Sequence, residues 1–382
     1  KVQVVHPGDD FYTEEELPAD FEPPVITLNG PEHVYLNVGD PYEEQGATAE
    51  DAEDGAVEVT TGAGRIDTNN LRDYEVTYYA EDRFGNSSRA TRYVSVIDPN
   101  ARLLKFKIND DSVSVVGCAE SISGDLIIPS SWEGKPVTSI GKSNFYNERS
   151  FSNCPSLTSV TIPDSVTSIG SYAFHYCESL TSVTIPDSVT SIGSYAFINC
   201  ISLTSVTIPD SVTHIGRQTF EDCKSLTSVT IGDSVTSIGA GAFYGCKSLT
   251  SVTIGDSVTS IGKQAFTNCI SLTSVTIPNS VTSIGDSAFR FCSTLASVTI
   301  PDSVASIGDF AFRRCMYLTS VTIPDSVTYI GDSAFTWCIS LTSVTFEGDA
   351  PKRGKQVFYQ ARRATASVKA DADGFGTTFG GL

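Results

Sequence analysis

Apolar residues recur along most of this chain on a 23-residue step, with polar residues filling the positions between them. In the unit Cys177-Glu-Ser-Leu-Thr-Ser-Val-Thr-Ile-Pro-Asp-Ser-Val-Thr-Ser-Ile-Gly-Ser-Tyr-Ala-Phe-Ile-Asn199, Leu180, Val183 and Ile185 are apolar, and Thr181, Ser182 and Thr184 are polar. The same letters return from Leu157, Val160 and Ile162 to Leu341 and Val344, with Phe346 in the last isoleucine position. This spacing predicts a short strand with one buried face. Pro186-Asp187 ends it, because proline has no N–H to give to a ladder. Val189 and Ile192 predict a second short strand, and Gly193 a sharp bend. Ala196, Phe197 and Cys200 predict a short turn, or a single helical turn, that closes the coil. One coil cannot bury these side chains, but coils stacked on their own copies share a continuous apolar core. Residues 154–346 are therefore expected to form a solenoid of parallel strands.

The flanks depart from the period. Leu103-Leu-Lys-Phe-Lys-Ile108, Gly124-Asp-Leu-Ile-Ile-Pro129 and Val137-Thr-Ser-Ile-Gly141 read as a stretched first coil with Ser130 to Pro136 inserted, so residues 99–153 are expected to be a linker and N-terminal cap. The register breaks after Phe346, and residues 347–382 are expected to cap the other end. Caps are needed because an open coil exposes strand edges and core. Ahead of the solenoid, apolar runs at Val25–Leu28, His33–Asn37, Val57–Thr61, Tyr74–Ala80 and Thr91–Ile97 predict strands of a small all-β domain over residues 24–98. Asn29-Gly30, Asn37-Val-Gly39 and Phe84-Gly-Asn86 mark turns between them. Residues 1–23 are acidic, hold Pro7, Pro18 and Pro23 and few apolar groups, and read as a disordered tether. The expected fold class is mainly β with short helical turns.

Leu-Thr-Ser-Val-Thr-Ile-Pro-Asp-Ser-Val-Thr-Ser-Ile-Gly recurs almost letter for letter, and over roughly residues 103–382 the chain resembles the BspA-like leucine-rich repeat family of bacterial surface proteins. That resemblance implies an extracellular protein, secreted or anchored at the bacterial cell surface. Its implied partners are surface or extracellular-matrix proteins of a host or neighbouring cell, and the family offers no catalytic residues to carry over. Pro23-Pro-Val-Ile-Thr-Leu28, Gly46-Ala-Thr-Ala49, Asp51-Ala-Glu-Asp-Gly55 and Tyr79-Ala-Glu-Asp-Arg-Phe-Gly-Asn86 resemble a bacterial immunoglobulin-like (Ig-like) domain of the cadherin-like sort. Such a module implies a spacer that lifts a binding domain off a surface, with peripheral anchoring expected through the N-terminal end.

Charge narrows the partners. The net charge is −20, and residues 1–100 hold 22 Asp and Glu against 6 Lys and Arg. An acidic chain repels phosphate backbones and anionic membranes, so nucleic acid is not expected as a partner. No apolar run approaches the ~20 residues of a membrane-spanning helix. Lys1-Val-Gln-Val-Val-His6 lacks the charged-then-apolar order of a secretory leader, as a trimmed secreted chain or a cytosolic one would.

Several columns carry chemistry that must be weighed against packing. Cysteines from Cys154 to Cys338 repeat on the same step. Stacked about 5 Å apart they fall within disulfide reach, yet a small buried thiol filling a core column explains them without bonding. Metal binding is disfavoured, because the column holds no His and no C-x-x-C pair. The column Asp164 to Asp325, with Asn279 in one coil, offers stacked carboxylates for Ca²⁺ or local turn hydrogen bonds. The acidic loop Glu50-Asp-Ala-Glu-Asp-Gly55, with Asp82 or Asp98, is open to the same two readings. Rows such as Ser182, Thr184, Ser205 and Thr207 read as a soluble β surface or as a water-ordering array. The four histidines, His6, His33, His175 and His214, belong to no catalytic motif, and phosphate and dinucleotide fingerprints are missing. No enzyme activity, cofactor or metal is expected.

What varies from coil to coil is the turn after the glycine and around the phenylalanine. Aromatic and arginine side chains gather there: Arg290, Phe291, Phe310, Arg313, Arg314 and Trp337 in the later coils, and Tyr172, His175, Tyr176 and Tyr195 in the earlier ones. These residue types anchor interfaces by burying large areas and making several contacts each. They are the candidate protein-binding residues. The rival expectations are a structural spacer with no ligand and a glycan-binding surface.

Overall fold

A computed structural model of the chain describes residues 21–119, 121–141, 151, 154–376 and 379–382. The tether expected over residues 1–23 therefore lies, as far as Asp20, outside the described residues, as do residues 142–150, 152 and 153 of the expected N-terminal cap. The chain divides into two compact units between Val96 and Ile97.

The first unit is a sandwich of two sheets. One is ordered Val25–Leu28, Ala47–Asp51, Gly55–Val57; the other His33–Asn37, Ser87–Ile97, Asp73–Glu81, Val59–Ala63. Between them, Val76, Tyr78 and Val94 are buried and packed by Ile26, Leu28, Leu36 and Val59. Alternation along Asp73–Glu81 sends Tyr74, Val76 and Tyr78 to one side, as a half-buried strand requires. The buried Arg92 links the layers: it pairs with Glu44 and donates to the carbonyl of Pro31 at 3.0 Å and of Asn29 at 2.9 Å. The acidic loop is a hairpin turn joining Ala47–Asp51 to Gly55–Val57. Its tip is held by the Asp51 carboxylate, which accepts from the N–H of Glu53 and Asp54 at 3.0 and 2.9 Å.

The second unit is the solenoid. Each coil gives a strand of about the Ser-Val-Thr segment, such as Ser182–Thr184 or Ser228–Ile231, paired in parallel and in register with the same letters one coil on. The second strands, two residues each in the repeats, form one 13-stranded sheet that runs from the cap hairpin Leu104–Ile108/Val113–Cys118 to Lys352–Arg353. Between the strand rows lies a column of stacked phenylalanines from Phe151 to Phe358, with ring centres 4.9–5.4 Å apart. Beside it stand the cysteines. Cys118 and Cys154 form a disulfide; the eight from Cys177 to Cys338 are free and buried. Each free thiol donates to the carbonyl of the phenylalanine in the preceding coil, as Cys200 does to Phe174 at 3.2 Å and Cys315 to Phe289 at 3.3 Å. From Cys177 onward the ladder is thus a set of thiol–carbonyl bonds rather than bridges, each a second bond to a carbonyl that already accepts an N–H, as Phe174 does from Cys177 at 3.2 Å.

Three details differ from the sequence reading or sharpen it. The coil glycines are needed for a reason other than a bend. A Cβ on Gly216 would sit 2.8 Å from the Ser194 nitrogen and 2.9 Å from the Gly193 carbonyl carbon, so only glycine lets successive coils approach this closely. The coil closures are turns; the one helical element among the described residues is the 3₁₀ turn Pro99–Leu103. The 23-residue step also continues beyond Phe346: Gly354 and Phe358 keep their columns, Ala361 stands where cysteine stood, and Thr365–Val368 pairs with Ser343–Phe346. Phe375 and Phe379 then close over Phe346 with ring centres 5.0 and 5.2 Å away.

Candidate binding surface

The turn face owes its shape to backbone geometry that repeats whatever the residue. Two residues per coil have left-handed φ, the second after the glycine and the second after the phenylalanine: Tyr172 and Tyr176 at 58°, Phe310 at 58° with Arg314 at 63°, Trp337 at 65°. This conformation directs their N–H groups along the rod. Tyr176 donates to the carbonyl of Ile198 at 3.0 Å, Phe310 to Asp332 at 2.9 Å, and Arg314 to Thr336 at 2.9 Å. A left-handed residue with a Cβ costs about 1–2 kcal/mol, less for Asn and Asp, and nothing for Gly. The middle coils follow that preference with Asn199, Asp222, Gly245 and Asn268. The outer coils place Tyr176, Phe291, Arg314 and Trp337 in the same column.

Seven of the ten candidate residues occupy these left-handed positions: Tyr172, Tyr176, Tyr195, Phe291, Phe310, Arg314 and Trp337. They form two clusters. In the first, Tyr172 and Tyr195 stack at 4.7 Å with rings nearly parallel, and His175 packs edge-on against Tyr172 and Tyr176. His175 is buried, so its ring supports the tyrosines rather than facing solvent. In the second, guanidinium groups and rings interleave. Arg290 lies 4.8 Å from the Phe291 ring centre and 5.9 Å from that of Phe310; Arg313 lies 5.4 Å from Phe310. Arg314 lies 5.3 Å from Phe291 and 5.8 Å from Trp337. Burial first, then the neighbouring charges of Arg290 and Arg314, pull the Arg313 guanidinium below its usual range.

Between the clusters the face opens into a cleft of about 470 Å³ lined by Arg217, Gln218, Glu221, Ala240, Gly241, Tyr244, Lys263 and Gln264. It exists because Gly241 has no side chain where neighbouring coils carry one; a Cβ there would meet Gln218 Cγ at 2.9 Å. Burial raises the Glu221 carboxyl above its ordinary range, although Gln218 donates to it. Sequence reading missed this cleft, and also the exposed Met316, Tyr317, Ile339 and Tyr359 beside the second cluster. Comparing columns would have found three of them: Met316, Tyr317 and Ile339 stand where other coils hold Glu178-Ser179 or Lys224-Ser225.

On the opposite, strand-bearing face one row of hydroxyls is bonded along the rod. Threonine hydroxyls of one row donate to the carbonyl one coil back, as Thr204 does to Thr181 at 3.2 Å and Thr250 to Thr227 at 3.0 Å. In the glycine-containing coils the aspartate after the first strand serves the backbone too: Asp210 accepts from the Asp233 N–H at 2.7 Å. Asp82 and Asp98 are likewise engaged with the N–H groups of Asn86 and Asn100. Among the described residues no group of three or more His, Cys, Asp or Glu is arranged to hold a metal ion, and no helix is long and apolar enough to cross a membrane.

A stacked solenoid of short parallel strands with a variable turn face, on a chain that also carries an Ig-like sandwich, defines the class: a leucine-rich repeat surface protein. The chain belongs to the BspA type leucine rich repeat family, whose profile matches residues 144–273 and 259–377. Residues 26–96 match the Ig-like domain of bacterial surface proteins. Among solved structures it is similar to a leucine-rich repeat protein from Bacteroides ovatus, at 30% identity over 69% of each chain with a TM-score of 0.62. It is also similar to the T. pallidum leucine rich repeat protein, at 30% identity over 51% of this chain and 89% of that one with a TM-score of 0.45. A third is a leucine rich cell surface protein from Faecalibacterium prausnitzii, at 27% identity over 71% and 94% with a TM-score of 0.37. The curated proteins contain no match.

Proposed function

We propose that this chain is an extracellular adhesion protein of the bacterial surface that holds partner proteins on the turn face of its solenoid, with the Ig-like domain as spacer. Surface and extracellular-matrix proteins of a host or neighbouring cell are the partners, and the N-terminal end is the side of anchoring. One observation carries the reading: the outer coils put tyrosine, phenylalanine, arginine and tryptophan where the backbone favours Asn, Asp or Gly. Local strain of this kind persists where the side chain itself has a use. A bare spacer gains nothing from it. The strand face supports the reading less, because one row of its threonine hydroxyls is engaged with the preceding coil.

The test is capture of extracellular-matrix and epithelial surface proteins by the immobilised chain, quantified for two variants. Replacing Arg290, Phe291, Arg313 and Trp337 together by Ala should weaken capture at least about tenfold, as loss of several interface anchors does. Replacing Thr276, Thr299 and Thr322 by Tyr should leave it unchanged. The reverse pattern in folded variants would move the binding site to the strand face. A second reading, saccharide binding, is favoured by the cleft, which Gln218, Glu221, Lys263 and Gln264 line together with Tyr244. Glycan-array binding lost on Tyr244→Ala would establish it.

A further inference from the structure

We propose that Arg290, Arg313 and Arg314 form a carboxylate-binding site that docks an acidic polypeptide segment of a partner. The inference rests on the turn face being the binding surface and names the chemistry of what binds there.

Charge makes the first argument. Three guanidinium groups are gathered on a chain whose net charge is −20, and among the described residues none of them has a carboxylate partner. In the Ig-like domain some arginines do, as Arg83 with Asp54 at 2.9 Å and Arg92 with Glu44. The acids nearest in sequence are turned along the rod instead. Asp286 accepts from the Asp309 N–H at 3.0 Å, Asp309 from Asp332 at 2.7 Å, and Asp332 from Lys355 at 2.6 Å. The Nε atoms of Arg290 and Arg313 are buried without a hydrogen-bond partner. Like charges held this close repel, and buried donors left unpaired cost stability, so the arrangement is completed by an anion that the chain does not supply.

Geometry makes the second. The guanidinium groups are wedged between the rings of Phe291, Phe310 and Trp337, which fixes their planes before any ligand arrives and lowers the ordering cost of binding. An arginine held by its face keeps its N–H edge for a planar, two-oxygen acceptor, and a carboxylate fits that fork. The same wedging argues against a sugar: the Phe291 and Phe310 rings already carry guanidinium groups, Arg290 and Arg314 on the first and Arg290 and Arg313 on the second. The faces that carry them are thus not open for stacking. Carboxylates on one side of an extended segment stand roughly 7 Å apart. Arginines rooted one coil apart, roughly 4.8 Å, reach both with their long side chains.

The probe is a fluorescein-labelled poly-glutamate dodecamer, titrated by anisotropy against the full chain. Wild type should bind it, and affinity should fall steeply between about 0.05 and 0.5 M salt as screening shortens. Arg290→Gln/Arg313→Gln/Arg314→Gln should weaken it at least about tenfold, with an unchanged melting profile. The triple Lys variant, which keeps charge without the fork, should fall between. Lys105→Gln/Lys107→Gln, which removes two exposed charges on the cap hairpin, should bind as wild type does. Equal affinity in the Gln variant overturns the proposal. So does binding of hyaluronate but not poly-glutamate, and so does self-association of the chain that the Gln variant abolishes, which would make the occupant a second copy. Matrix-protein capture retained by the Gln variant, with poly-glutamate unbound, sinks this inference and leaves the turn-face reading standing. Poly-glutamate bound at the arginines while no matrix protein is captured does the opposite.

Discussion

At the scale of single residues the two faces of a coil obey different rules. Trp337 and Phe335 are two positions apart, yet one is exposed at left-handed φ and the other is buried in the ring column. Trp337→Asn should therefore cost under about 1 kcal/mol, because relief of the left-handed penalty offsets the lost ring contacts. Phe335→Ala should cost about 3–5 kcal/mol. Urea unfolding of the two variants measures the contrast, and equal losses would refute it. The cysteines give a pH dependence. Burial pushes the thiols of Cys177, Cys292 and Cys338 up to about 12, while an unfolded thiol titrates near roughly 8.5. Above that lower value the unfolded chain loses protons that the fold retains, so stability falls as pH rises toward 12. The urea midpoint should be lower at pH 9.5 than at pH 7.5. A thiol-selective count on the native protein should find almost none reactive, and eight after denaturation without reductant.

At the scale of the element, the coil was legible because its spacing repeats. Leu180, Val183, Ile185, Val189 and Ile192 are all buried, where a strand–turn–strand coil needs them. The left-handed turn was hidden for a physical reason: the usual markers, Gly and Asn, are replaced by Tyr, Phe, Arg and Trp in the coils of most interest. The hairpin of Ala47–Asp51 and Gly55–Val57 was hidden too, since its acids read as a loop although Asp51 caps the turn. The candidate clusters could be named from columns of variable residues, but their interleaving, and the cleft left by Gly241, depend on packing between coils that no single unit encodes. The glycine column offers a direct check. Gly216→Ala puts a methyl against the backbone of the neighbouring coil and should cost about 1–3 kcal/mol as overpacking, measurable as a lowered Tm. An unchanged Tm would show that the coils can separate.

At the scale of the whole solenoid, each coil bonds chiefly to the coils on either side, so stability propagates along one dimension. A defect at the centre should divide the rod where one at its end would only fray it. Phe243→Ala, in the middle of the ring column, should split calorimetric unfolding into two transitions, whereas the same change at Phe358 should lower a single one. The in-register pairing has a hereditary consequence. Because Ser205 to Ile208 lie against Ser228 to Ile231 letter for letter, and each thiol meets an equivalent carbonyl, a gene that gains or loses one whole unit still encodes a sound rod. Recombination between such copies can therefore shorten or lengthen the protein, or shuffle which turns stand side by side, without asking the core to change.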